Sequence, residues 1–246
     1  HVNYRKQEYY SSNIKYEKLG MIPPVFEKYF EDKDDKNLQE NNANCSDIFL
    51  IKIDNGERKE INFNLNGLNS TIKIIMLIGE NCDVNIKKIL LQDGEDTGSV
   101  DFVTLVEKGT KLKIDDIVFS SNYSKIEIFE RIFSLQEEND VKINIKSAAK
   151  DKSKIFCEAF AFIDEKSEKT NLNVKEEGMI FDNAKIDFLP KLKIENNDVT
   201  AGHSAFIKKF TEEEMFYLQS RGLNKEQGEK LLLEGFLEGL DLNNIF

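Results

Sequence analysis

From residue 47 to about residue 206, apolar and polar side chains alternate with a period of two. Ile48, Leu50, Ile51 and Ile53 open the pattern, and Ile61 and Phe63, then Ile72, Ile74 and Met76, carry it on. The apolar positions are mostly β-branched, and clusters rich in Asn, Asp, Gly and Ser separate the runs, which predicts strands joined by turns. A four-residue element, polar–apolar–polar–apolar after a turn, recurs as Asp83-Val84-Asn85-Ile86, Lys111-Leu112-Lys113-Ile114, Asp140-Val141-Lys142-Ile143, Asn171-Leu172-Asn173-Val174 and Asp198-Val199-Thr200-Ala201. Its anchors Val84, Leu112, Val141, Leu172 and Val199 are 28, 29, 31 and 27 positions apart. Strands of a β-sandwich recur at shorter spacing, about 8–12 residues. The longer, regular period predicts stacked coils of a β-solenoid, each giving one strand to a shared sheet and its inward residues to a continuous core.

Outside this region the pattern breaks on both sides. Residues 1–30 mix aromatics with charges and contain Pro23-Pro24, after which 25–30 have room for a helical turn or two. Residues 31–44 are polar and nearly devoid of apolar groups, as expected of a linker that buries too little surface to offset its ordering entropy. Two short helices are predicted at the other end. Thr211 and Glu214 form a T-x-x-E capping box, Glu212 and Glu213 sit in the first turn, and Gly222 is placed to end the helix in a left-handed conformation. Asn224 caps a second helix whose Leu231, Leu232, Leu233, Phe236, Leu237 and Leu240 make a broad apolar face. The expected division is an N-terminal segment and linker over 1–46, a solenoid core over 47–209 and a helical domain over 210–246.

Composition narrows the chemistry. The net charge of −11 disfavours a phosphate backbone as partner. No run is long and apolar enough for a membrane helix, and no signal peptide is evident. The chain starts at His1 rather than methionine, so further native residues are expected ahead of it. Cys45, Cys82 and Cys157 are odd in number and lie in no C-x-x-C pair, which suits a reducing compartment and argues against a self-contained four-thiolate cluster site. No phosphate-binding loop, G-x-S-x-G elbow or H-E-x-x-H motif occurs, so nucleotide chemistry would belong to a partner.

One stretch carries a more specific signal. Pro190, Leu192 and Ile194, then Asp198-Val199 with Gly202-His203-Ser204-Ala205, then Phe216-Tyr217-Leu218, Ser220-Arg221-Gly222-Leu223 and Gly235-Phe236, follow one another in fixed order over residues 190–236. This stretch resembles the SufB/SufD family of SUF iron–sulfur cluster assembly. The resemblance implies a right-handed parallel β-helix and a non-catalytic scaffold or accessory role. It also implies a cytoplasmic setting (or an organelle stroma), a SufC-type ATPase on the C-terminal helices and a SufB- or SufD-like second subunit at the β-helix edge. The implied cofactor is a transient iron–sulfur cluster at the dimer interface.

Candidate residues follow from it. His203 matches the histidine near the family's assembly site; it is either an iron ligand or a hydrogen-bonded residue where the solenoid ends. Met215, Phe216, Leu218, Arg221, Leu232, Phe236 and Leu237 are the candidate ATPase-docking residues, although the same apolar face could instead cap the open coil. Ala201 stands where SufD-type members often carry a cysteine, and Cys157 is expected to be a buried apolar residue. The rival readings are an exported β-helix carbohydrate-binding or carbohydrate-active protein and a structural homodimer without cluster chemistry. The first would need a cleft of paired acids. Asp115-Asp116 and Glu176-Glu177 are adjacent in sequence, so they point to opposite faces and are expected to be solvated.

Overall fold

In the computed structural model, which describes residues 16–21 and 45–237, thirteen strands and two helices are formed. In chain order the strands are β1 (Tyr16–Leu19), β2 (Cys45–Ile53), β3 (Arg58–Asn66), β4 (Thr71–Ile78), β5 (Asp83–Gln92), β6 (Thr97–Val106) and β7 (Lys111–Ser120). They continue with β8 (Lys125–Ser134), β9 (Asp140–Ala149), β10 (Lys154–Ile163), β11 (Thr170–Ile180), β12 (Lys185–Ile194) and β13 (Val199–Lys209). The helices are α1 (Glu212–Ser220) and α2 (Lys225–Phe236). The expected helical turns at 25–30 and linker at 31–44 lie outside the described residues.

Odd and even strands part into two sheets. One runs β1-β2-β4-β6-β8-β10-β12 and the other β13-β11-β9-β7-β5-β3. Each pair from β2/β3 to β12/β13 is one coil, giving a β-solenoid of about six turns. All pairings between coils are parallel, and only β1 runs antiparallel, on β2. Ile61, Ile86, Ile114, Ile143 and Val174 form one inward row of directly paired residues, all buried. Ile72, Val100, Ile128 and Cys157 form another on the facing sheet. Stacking like on like fills the space between the sheets with one core.

The repeat is real, but its last copy is shifted. Val84, Leu112, Val141 and Leu172 pair in register, yet Leu172 pairs with Ala201, and Val199 pairs with Thr170. Both Val199 and Ala201 lie on the inward side, so the two-residue slip preserves the face and is invisible to a period-2 pattern.

The corners follow a rule of their own. One corner stack places Gly56, Asn81, Gly109, Glu138 and Lys169 at positive φ; another places Gly94, Asn122, Asp151 and Asp182 there. Gly, Asn and Asp accept this left-handed conformation readily. The inter-coil hydrogen bonds carry on around the bend, for example Asn81 N–H to the Lys108 carbonyl (2.8 Å) and Lys152 N–H to the Asn122 carbonyl (2.9 Å).

Gly98 marks a close approach of the backbones of two coils. A Cβ there would stand 2.5 Å from Leu68 Cβ and 2.6 Å from the Leu68 carbonyl oxygen. Leu68 cannot retreat, because the Gln92 side-chain carbonyl accepts its N–H (2.9 Å) and the Gln92 amide donates to its carbonyl. Gly98→Ala is therefore expected to destabilise the chain by about 1–3 kcal/mol, read as a lowered urea midpoint. An unchanged midpoint would show that the corner yields.

Candidate functional site

The Thr211–Glu214 capping box and the Asn224 cap predicted from sequence are present, the latter as a full capping box with Gln227. The Thr211 hydroxyl accepts from Glu214 N–H while the Glu214 carboxylate accepts from Thr211 N–H, and Asn224 and Gln227 repeat the arrangement on α2. Gly222, with φ of 91°, lets its N–H reach the Gln219 carbonyl and the Leu223 N–H reach the Leu218 carbonyl, a Schellman closure. Gly228 allows α1 to approach α2, since a Cβ there would meet Met215 Sδ and Leu218 Cδ1 at 3.2 Å.

The helices do not close the open end of the solenoid. Leu233 and Leu237 of α2 are fully buried against the outer face of the second sheet, on Ile117, Phe119, Ala148, Met179 and Phe181, with Leu232 and Phe236 half-buried beside them. Glu229 is buried as well and holds Lys150 Nζ at 2.8 Å and Lys225 Nζ at 3.4 Å, the latter also 3.4 Å from Asp182. The candidate docking residues thus divide. Leu237 and Met215 are consumed by the chain's own packing, Leu218, Leu232 and Phe236 are partly covered, and Phe216 is 73% exposed. Tyr217 and Leu231, absent from the candidate set, are exposed alongside it, and Arg221 lies over the Tyr217 ring at 5.4 Å.

His203 lies on β13, the edge strand of its sheet, and is exposed. It pairs with Val174, so it ends the inward row that begins at Ile61. Around it the last coil exposes Leu189, Ile194, Phe206 and Ile207, each at 42–50%. Ala201 is partly buried and packs on the core. Among the described residues no group of three or more His, Cys, Asp or Glu is placed to hold a metal ion.

Cys157 and Cys82 are poor ligands as placed. Cys157 is fully buried in the core, as its sequence context suggested, and burial followed by the neighbouring carboxyls pushes its thiol well above the usual range. Cys82 is buried at a corner, its thiol 3.2 Å from the Asp54 carbonyl. Cys45 lies in β2.

The main departure from expectation is inside the solenoid. Asp116 and Glu176 are not solvated: they face inward and are buried, while their neighbours Asp115 and Glu177 face out and meet Lys113 (2.6 Å) and Lys175 (3.0 Å). The opposite-face reading holds, but these strands have a sealed inner face instead of a wet one. Lys88 and Glu130 join them, both fully buried. Lys88 Nζ contacts Glu130 and lies 3.4 Å from Asp116, and it also sits over the Phe102 ring at 3.8 Å. Desolvation raises the Asp116 carboxyl, lifts Glu130 to about 8 and lifts Glu176, beside the Cys157 thiol, to about 7. The signal was in the alternation. Continued in phase, Val84-Ile86 reaches Lys88, Leu112-Ile114 reaches Asp116, Ile126-Ile128 reaches Glu130 and Leu172-Val174 reaches Glu176.

Residues 76–236, which run from the end of β4 through the later coils, the edge strand carrying His203 and both helices, match the model for the SUF system FeS cluster assembly SufBD core domain. The chain belongs to the SufBD family. It is 31% identical over 94 residues to the iron–sulfur cluster assembly protein SufB of Bacillus subtilis, covering 38% of this chain and 20% of that one. A SufBD family protein of Staphylococcus saprophyticus is 30% identical over 94 residues with the same coverage, and one of Staphylococcus epidermidis is 25% identical over 135 residues, 54% of this chain and 29% of its own. The chain thus spans well under a third of the length of these relatives. No helix among the described residues is long and apolar enough to cross a membrane.

The packing of α2 yields a direct test. Leu233→Ala is expected to cost about 2–5 kcal/mol, as for other fully buried leucines, whereas Phe216→Ala should stay within about 0.5 kcal/mol. Denaturant melts of both variants check this, and equal effects would contradict the assigned helix face.

Proposed function

We propose that the chain is a non-catalytic subunit of a SUF-type assembly complex. It would dock a SufC-type ATPase on the outward face of α1 and α2 and pair with a second SufB- or SufD-like subunit through its open last coil. The family membership supports the system. The observation that carries the docking reading is the exposure of Phe216, Tyr217 and Leu231 on helices anchored to the chain through Met215 and Leu233. Exposed aromatic side chains on a rigid, capped element are the usual anchors of an interface. The candidate set accordingly becomes Phe216, Tyr217, Leu231 and Arg221, with Leu237 and Met215 supporting the face from beneath.

The second contact follows from edge physics. β12 and β13 end their sheets with one side unpaired among the described residues, and Leu189, Ile194, Phe206 and Ile207 are exposed there. A matching end of another subunit would continue both sheets and cover these residues. His203 would then lie at the junction. One imidazole is a competent iron ligand but not a cluster site alone, so the remaining ligands of a transient cluster would come from the second subunit. The buried thiols and Ala201 fit an accessory role for this chain better than that of principal scaffold. A homodimer without cluster chemistry is the second reading, and Ala201 is what favours it.

Co-purification with the host's SufC-type ATPase tests the docking face. Phe216→Asp and Leu231→Asp should each weaken binding by about thirtyfold or more with the melting temperature unchanged. Full binding by both folded variants would refute it. His203→Ala should leave ATPase binding and pairing intact while lowering iron retained by the reconstituted complex; unchanged iron would remove His203 from the site.

A further inference from the structure

The inner face of the solenoid carries charge that it does not balance. Lys88 from β5, Asp116 from β7, Glu130 from β8 and Glu176 from β11 project into the same sealed core, three carboxyls against one amine. In the row on the second sheet, Phe63, Lys88, Asp116, Ile145, Glu176 and Ala205 are directly paired neighbours; Glu130 enters from the facing sheet in the row of Ile74, Phe102 and Ala159. Both oxygens of Asp116, Oε1 of Glu130 and both oxygens of Glu176 lack a hydrogen bond of good geometry, as do the Thr104 and Ser147 hydroxyls nearby in the fold. An ionised carboxylate so placed is strongly disfavoured, and a single Lys88 can compensate one of them.

We propose that coils two to five form a proton-operated element, tightly packed while Glu130 and Glu176 are protonated and loosened locally when they ionise. Lys88 alone opposes this, lowering Glu130 and Asp116, but desolvation outweighs it at both, and the remaining charges raise the carboxyls or are already paired. Asp116 and Asp101 raise Glu130, and Asp115 raises Asp116, while Asp101 itself is held from outside by Lys73 (2.7 Å) and Arg131 (2.5 Å). Beside Glu176 the ionisable neighbour is Cys157, itself kept neutral by burial. The inward residues of β9, Val141, Ile143, Ile145 and Ser147, bring no charge.

The sign follows from linkage. These carboxyls titrate at about 7 and about 8 in the folded chain but near 4.5 when unfolded. Between those values the folded state holds protons that the unfolded state has released, so these two carboxyls make stability fall as pH rises from about 4.5 through about 8, and the buried Cys157 thiol extends the fall at more alkaline pH. Carboxylates lowered by hydrogen bonds, such as Glu137 and Glu214, act only at more acid pH, and the raised Lys108 and Lys225 only at more alkaline pH. The interval from pH 5.5 to 9 isolates the inner row.

The test is hydrogen exchange of the full chain by mass spectrometry at pH 6, 7.5 and 9, corrected for intrinsic rates, on wild type, Glu176→Gln and Glu130→Gln/Glu176→Gln. The wild type should lose protection across β7 to β11 by about tenfold or more on going from pH 6 to 9, since each released proton shifts the opening equilibrium up to tenfold per pH unit. The double variant should be flat, and Glu176→Gln intermediate. Parallel profiles for wild type and variants would overturn the proposal. Should the double variant not fold, infrared spectra of the wild type decide alone. A protonated-carboxyl band present at pH 6 and lost by pH 9 supports the inner row as the proton store, and its absence at pH 6 refutes it.

Discussion

The strand ladders of every coil pair only with the coils before and after it, in parallel, and that constraint governs the rest. A parallel ladder keeps each side chain over its counterpart one coil away. The type of residue at one position therefore becomes a row through the whole body: Ile61 to Val174 on one wall, Ile72 to Cys157 on the other. Length differences between coils have to be absorbed at the bends. The left-handed residue at each corner, whether Gly109 or the less accommodating Glu138 and Lys169, is where the chain turns without breaking the ladder.

The same constraint explains what could be read beforehand. The solenoid was legible because a row is a periodic signal along the sequence, and the helices were legible because caps are local chemistry: Thr211 with Glu214, Asn224 at the start of α2, Gly222 after the last turn. The slip at Val199 was not legible, because a shift of two residues keeps the same side chains inward and leaves the alternation unchanged. Where α2 rests is a tertiary matter. Its apolar stripe says that Leu233 and Leu237 are covered, but not that the cover is the flank of the second sheet instead of the open end. The inner charges were misjudged for another reason. Adjacent acids in a strand do face opposite ways, but in a closed two-sheet body one of those ways is a dry interior.

Two polar rows run through the coils, and their contrast is informative. On the outer face of the first sheet, Lys73, Asp101, Arg131, Glu158 and Lys191 alternate in sign over five successive strands, each carboxylate lying between two cations. That row compensates its charge residue by residue and needs no protons to do so. The inner row has no such alternation: after Lys88 come Asp116, Glu130 and Glu176. The fold evidently can stack opposite charges, since it does so on the outer face of the first sheet, so the imbalance inside is a property of these positions and not a limit of the architecture.

The inner row is also not isolated from the open end. Glu176 pairs with Ala205 and Val174 with His203 on β13, which makes the strand that buries the last carboxyl the one that supports the exposed histidine. β13 has β11 as its ladder partner among the described residues and nothing on its other side. Any change in how β11 sits when its interior side ionises must then be felt by β13 through the hydrogen bonds that hold it, while β1 at the far end of the stack is separated by four further coils. In a body whose ladders are nearest-neighbour, coupling decays with the number of coils crossed, and the carboxyl nearest the open end is the one with the shortest path to it.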